Sequence, residues 1–304
     1  GKLPKNCLII NPNRNKDMSN LNHLAAVGVS FLLLVSIHRK LKEKKIFQKI
    51  PEPNLLSFLD LVALGTICDV VKLDNLNRTF VKQGLKVINK TKNFGLRSLI
   101  ESSGIQNEID EYHLGYILGP KINAGGRIGD SSKGVELLLS ENTGHTLLIA
   151  DELTKLNIER QKIEKNVENL AITKIVKDDN IICVNGEGWH PGVIGIVAGR
   201  LTERFLKPSI VISESSEICK GSARSIPGYN IGELINKAFE DGILENGGGH
   251  KMAGGLSIKK EKISLFKSFL KDKSSVLELQ NKKYYDHEIT LSLINKSLFN
   301  LVNN

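Results

Sequence analysis

Asp151-Glu152-Leu153-Thr154-Lys155-Leu156-Asn157-Ile158-Glu159-Arg160 opens a run with no glycine or proline before Asp178. Ile149, Leu153, Leu156, Ile163, Val167 and Leu170 recur here at near-heptad spacing, while Lys155, Glu159, Arg160 and Lys162 fill the other face. That period belongs to a helix and not to a strand. Counted from Thr143, the segment predicts one helix of about 30 residues, ~45 Å long at 1.5 Å per residue. A two-helix hairpin is the other reading, but it lacks a breaker. A helix of this length suits a rigid connector between two folded parts. The expected fold class is α/β, with this helix at 143–178 between the parts.

Downstream, strands and helices alternate. Ile181-Ile182-Cys183-Val184 reads as a buried strand, with a turn at Asn185-Gly186. Val193 to Phe205 reads as a helix, stopped by Lys207-Pro208. Ser209 to Ser213 and Lys220 to Ser225 read as strands, Ile231 to Phe239 as a helix, Gly255 to Ile258 as a strand and Ile263 to Leu270 as a helix. This pattern argues for one α/β or α+β domain over 179–280. Residues 281–304 hold one strand candidate, Ile289-Thr290-Leu291.

Upstream, Leu8-Ile9-Ile10 reads as a short buried strand close to a chain start that is Gly1 and not Met, as if inside a domain. Leu24 to Leu41 reads as a helix, apolar and buried over Val27 to Ile37. Leu55 to Leu64 is a further apolar run that Gly65-Thr66 breaks. Val81, Leu85 and Ile88 mark an amphipathic helix over Asn77 to Asn89. A mixed helical region follows to about Ser140, interrupted by a loop at Asn123 to Arg127. Residues 1–142 thus read as the tail of a first domain.

The 304 residues suffice for two cores. With 40% hydrophobic and 25% charged residues, the composition is globular and excludes a disordered chain. A formal charge of +9 favours polyanionic partners. Compositional bias towards lysine, asparagine and isoleucine explains the charge equally well. Cys7, Cys68, Cys183 and Cys219 are too scattered for a zinc or disulfide framework and predict free thiols, as in a reducing cytoplasm. No segment reaches the ~18 apolar residues of a membrane span, and no signal peptide precedes the first strand.

Four local features carry chemistry. Asp69, after an apolar run and a Gly-Thr break, offers a hard oxygen ligand for Mn²⁺ or Mg²⁺; a helix cap or loop ion pair is the bland alternative. In Asn123-Ala124-Gly125-Gly126-Arg127, the glycines admit close approach and Arg127 can fork onto a phosphate, or the segment is a turn with an exposed arginine. In Gly221-Ser222-Ala223-Arg224-Ser225, Ser222 and Arg224 share one strand face and suit phosphate oxygens, or simply form a polar face. Gly247-Gly248-Gly249-His250, with Gly254-Gly255 close behind, reads as a glycine loop offering amides to a nucleic-acid backbone, or as a flexible turn.

Set in order, these features resemble a known family. Leu61 to Val71 with Asn77-Arg78 resembles the last metal motif of the DHH phosphoesterases. Asn123 to Arg127, His190-Pro191-Gly192-Val193-Ile194-Gly195-Ile196-Val197, Gly221 to Ser225 and Gly247 to His250 extend the likeness to the RecJ family of single-strand-specific 5′→3′ exonucleases. It covers about Leu8 to Ile258. The resemblance implies the C-terminal part of a DHH domain at 1–142, a connecting helix at 143–178, a DHHA1 domain at 179–280 and the start of an OB-fold region at 281–304. It implies Mn²⁺ or Mg²⁺ as cofactor, Asp69 as a metal ligand and His190 as a catalytic residue. Arg127, Ser222 and Arg224 would hold a 5′-phosphate, with Asn123, Gly247, Gly248, Gly249 and His250 along the strand. The implied reaction is hydrolysis of single-stranded DNA to 5′-mononucleotides in repair and recombination, in the cytoplasm, with a helicase or single-strand-binding protein as partner.

The sequence departs from the family at the metal. An Asp-x-Asp and an Asp-His-His motif are expected upstream of Leu8, and the only Asp-His is Asp286-His287, followed by Glu288. The expectation is a chain that binds strands weakly and cleaves little. With 5% aromatics, backbone contact should dominate and binding should depend steeply on salt. Competing readings are an oligoribonuclease or cyclic-dinucleotide hydrolase of the same superfamily, a non-catalytic nucleic-acid-binding fragment, and an editing module like that of alanyl-tRNA synthetase.

Overall fold

The structure, a computed structural model, describes residues 6–274, 285 and 287–303. The chain divides into two compact units, Gly1–Leu170 with His190–Ile194, and Ala171–Trp189 with Gly195–Asn304.

The first unit is helical among its described residues. Its helices are α1 (Ala26–Glu43), α2 (Leu59–Cys68), α3 (Asn75–Ile88), α4 (Phe94–Ser102), α5 (Gly119–Ile128), α6 (Lys133–Leu139) and most of α7 (Thr143–Thr173). The α2 and α3 backbones touch at Gly84, where a Cβ would stand 2.2 Å from the Leu59 carbonyl oxygen and 2.4 Å from Ala63 Cβ. Phe31 of α1 meets Phe80 of α3 edge-on, ring centroids 5.6 Å apart. Gly65 does not break a helix, as expected from its freedom, but lies inside α2. It is small because a Cβ there would come 2.8 Å from Val27 Cγ1 of α1.

Two further expectations fail here. Leu8 to Ile10 forms no strand, and Leu8 is fully exposed. A strand exists only through its ladder, and the described part of this unit holds no other strand to pair with. On α1 only Gly28 and Phe31 are buried, while Leu33, Leu34, Val35 and Ile37 face outward.

The expected long helix is present as α7, 31 residues ending at Thr173, five short of Asp178. Ile149, Ala150 and Leu153 bury its first turns in the core of the first unit. Arg160 is not on the charged outer face but buried, as is Glu164. Asn157 Oδ1 accepts from Arg160 Nε and Nη2 at 3.1 and 3.0 Å, and Glu164 takes Nη1. Positions i, i+3 and i+7 share a face, so Asn157 and Glu164 both bond Arg160 along the buried stripe.

The second unit is built on a five-stranded sheet, order β1-β2-β3-β5-β4. The strands are β1 (Ile182–Glu187), β2 (Ser209–Glu214), β3 (Ile218–Arg224), β4 (Asn246–His250) and β5 (Ala253–Lys259). β1 and β2 run parallel, joined through helix α8 (Ile194–Phe205), and the remaining pairs are antiparallel. Helices α9 (Ile231–Glu240) and α10 (Ile263–Lys273) enclose a core with Ile210, Ile212, Ala223, Ile235, Ile258 and Phe266. Asn185-Gly186 is no turn: β1 continues through it, and Gly186 gives room to the buried Trp189, whose ring would stand 2.1 Å from a Cβ there. Ile289 to Leu291 forms no strand. Residues 287–303 hold only a short 3-10 turn at Leu291–Leu293 and helix α11 (Lys296–Asn303). The 280/281 boundary and Asp286 lie outside the described residues. No helix among the described residues is long and apolar enough to cross a membrane.

No disulfide joins the cysteines among the described residues, and Cys7 is exposed. Burial, with a smaller push from the Asp69 carboxylate, raises the Cys68 thiol to about 11. Burial raises Cys183 to about 12 and lifts Cys219 as well. At pH 8 a chromogenic disulfide reagent should therefore find one fast thiol, Cys7, with three released only by denaturant. Four equal rates would contradict this. The raised values also mean that the unfolded chain loses these protons first. Their stabilising contribution is complete below the ordinary thiol range and is lost as pH climbs towards about 12.

Candidate nucleic-acid interface

In the second unit, strand alternation sets Ser222 and Arg224 on one face of β3 and turns Ala223 into the core. Arg224 Nη1 donates to Ser222 Oγ at 3.3 Å and to the Ala223 carbonyl at 2.8 Å. Gly195, in the first turn of α8, looks onto both. A Cβ there would stand 3.0 Å from Ser222 Oγ and 3.3 Å from Arg224 Nη2. A hydroxyl, a guanidinium and a helix start therefore share one corner. Each of the three favours an anion with several oxygens.

In the first unit, Asn123 and Arg127 lie on helix α5 and not on a loop. Gly125 reads as a breaker but serves packing, since a Cβ would come 2.5 Å from the Asp130 carbonyl oxygen. Asn123 and Arg127, four apart, project from the exposed side. Arg127 Nη1 donates to the Gly192 carbonyl at 3.3 Å. A Cβ on Gly192 would stand 2.0 Å from the Arg127 carbonyl oxygen, so the His190-Pro191-Gly192 turn rests directly on the end of α5. His190 Nδ1 accepts the Gly192 N–H at 3.0 Å. This places the proton of the neutral ring on Nε2. The structure thus gathers Arg127, His190 and Gly192, and Asn123 shares helix α5 with Arg127.

Asp69 caps the C-terminal end of α2, with its N–H bonded to the Gly65 carbonyl at 3.0 Å and its side chain exposed. Among the described residues no three His, Cys, Asp or Glu side chains gather to hold a metal ion. A divalent ion that takes several oxygen ligands does not fit one carboxylate. The described residues do not form a metal centre.

Gly247 to His250 is strand β4, not a loop. Gly248 pairs with Gly255 and Gly249 with Gly254. Most of these glycines are small for packing. A Cβ on Gly249 would come 2.4 Å from the Ala253 carbonyl oxygen, and one on Gly254 would come 2.5 Å from Ile235 Cδ1 of α9. Gly232 of α9 would set a Cβ 2.8 Å from the Gly249 carbonyl carbon. Gly255 alone opens onto free space, and a Cβ on Gly248 would only just reach Asn236 Oδ1, at 4.0 Å. His250 is exposed, and its Nδ1 accepts the Met252 N–H at 3.3 Å.

Residues 168–275 match the DHHA1 domain family. A crystal structure of exonuclease RecJ bound to manganese superimposes with a TM-score of 0.75 at 30% identity, over 92% of this chain and 68% of that one. The chain belongs to the RecJ family. RecJ of Thermus thermophilus, solved with Mg²⁺, superimposes with a TM-score of 0.72 at 31% identity, over 83% of this chain and 38% of that one. The single-stranded-DNA-specific exonuclease RecJ of Escherichia coli is 37% identical over 278 residues, 87% of this chain. The chain spans about half of that relative, 48% of its length. The mixed helix-and-sheet architecture is that of RecJ. Gly192 and Gly195, each pressed against one of the two arginine sites, lay within a quoted RecJ-like motif, but nothing in the sequence pairs them with Arg127 or Ser222.

Proposed function

We propose that this chain carries the strand-holding surface of a single-strand-specific 5′→3′ exonuclease. The observation that carries the reading is the corner made by Ser222, Arg224 and the α8 start at Gly195. In this proposal Ser222, Arg224 and Arg127 take the 5′-terminal phosphate, and Asn123, β4 and His250 line the backbone path. His190, its Nδ1 engaged, presents Nε2–H as a donor to a phosphate oxygen. Residues 1–142 form the C-terminal part of a DHH domain, 143–178 the connecting helix, 179–280 the DHHA1 domain and 281–304 the start of a further region. Asp69 supplies one oxygen ligand for Mn²⁺ or Mg²⁺, and the other donors lie outside the described residues. The chain by itself therefore holds strands without cutting them.

The test uses a 5′-phosphorylated oligo-dT and the purified chain. If about three phosphates are contacted, a fourfold rise in salt should weaken binding roughly twentyfold, at a slope of about −0.7 per phosphate. With Mn²⁺ present, no mononucleotides should appear. Salt-independent binding would remove the phosphate-centred reading. Strong Mn²⁺-dependent digestion that disappears in Asp69→Ala would show that the chain cuts unaided.

A further inference from the structure

Tyr112 and Tyr116 stack on each other, ring centroids 5.1 Å apart and planes 25° off parallel. Both stand in solvent, 60% and 74% exposed. Neither belongs to a core cluster of the first unit. Two large rings held face to face in water bury little, and the further ring contact of Tyr112 is edge-on to its neighbour His113, centroids 6.2 Å apart. Their backbone is also unusual. Tyr112 precedes a six-residue π-helix, His113–Leu118, that contains Tyr116 and runs straight into α5. Wide turns of this kind are rare and are frequently found at functional sites.

The segment is anchored on its inner side. Leu114 and Leu118 are fully buried. A Cβ on Gly119 would stand 2.4 Å from Cys68 Sγ, and one on Gly115 would stand 3.2 Å from Ile67 Cγ2. The segment that carries the tyrosines therefore packs on the C-terminal end of α2, next to Asp69 in the chain. Exposed positions then continue along the same rod at Asn123 and Arg127. From Tyr116 to Arg127 is eleven residues, about 16 Å of helix axis.

We propose that Tyr112 and Tyr116 form a base-stacking platform for a single-stranded nucleic acid whose backbone runs on towards Asn123 and Arg127. Every base has a π-face, so aromatic stacking holds a strand without reading its sequence, while a guanidinium further along neutralises phosphate. Of the two acidic residues just before Tyr112, Asp110 is engaged by His113 at 2.6 Å, and Glu111 is exposed. This platform rests on the strand-holding reading above and adds base contact, which the low aromatic content had argued against.

The test compares the unaltered chain with Y112A/Y116A and Y112F/Y116F on two oligonucleotides of equal length, one of dT and one fully abasic. The alanine pair should bind dT about tenfold more weakly or worse. It should bind the abasic strand unchanged, which also shows that the fold is intact. The phenylalanine pair should bind both like the unaltered chain. Equal losses on both strands, or no loss on dT, would overturn the platform while leaving strand holding in place. Failure of the unaltered chain to bind either strand would instead remove the underlying reading and the platform with it.

Discussion

Arg224→Ala is expected to weaken capture of a 5′-phosphorylated single strand by roughly 10- to 150-fold, as for about 1.5–3 kcal/mol of charged hydrogen bonding. The loss should be much smaller on a strand ending in a 5′-hydroxyl. Arg224 reaches the corner from β3, steadied by its bonds to Ser222 Oγ and the Ala223 carbonyl, so its guanidinium is oriented before a ligand arrives. Arg224→Lys keeps the charge but loses the planar fork, and should recover only part of the affinity. The measurement is a pair of Kd values, with and without the terminal phosphate, for each variant. Equal losses on both strands would show that Arg224 supports the fold or the general field and does not read a terminus.

The second large effect is on stability. Gly84→Ala should cost about 3 kcal/mol, at the upper end of what overpacking does. For a protein of this size that lowers Tm by roughly 6–12 °C. The new methyl would meet the Leu59 carbonyl oxygen and Ala63 Cβ, both fixed in α2, so it cannot be accommodated by a side-chain rotation. The same change at Gly126 is the control. That residue is exposed on α5, its Cβ would meet only Ser131 Cβ at 3.7 Å, and alanine is the better helix former. Gly126→Ala should be neutral or stabilising by up to about 1 kcal/mol. Thermal melts that place both variants together would refute the close α2–α3 approach as the reason for Gly84.

Side-chain periodicity made the long helix and the strands β1, β2, β3 and β5 legible, because each buries a face that its own sequence marks. The Ser222–Arg224 pair was legible for the same reason, as period two puts both on one side. The glycines were not. Gly65, Gly125 and Gly249 were read as freedom of the backbone, whereas each answers a neighbour that leaves no room for a Cβ. A single sequence does not distinguish a residue that must bend from one that must be small. Arg160 misled for a related reason: a charge suits an outer face until Asn157 and Glu164 satisfy it within. Asp69 was found through its motif, but the presence of other ligands beside it is a question of tertiary placement.

β4 lies at one end of the sheet order, and three of its five residues, Gly247 to Gly249, are glycine. The outer edge of a sheet usually invites another chain to add itself, and many proteins guard against this with charges or proline. Here the guard is the lack of side chains. A strand added to β4 would gain backbone hydrogen bonds but, across the three central glycines, no interlocking side-chain ladder, which is what makes stacked sheets persist. The close packing that selected glycine at Gly249 thereby also leaves this edge of the sheet a poor template for fibril growth.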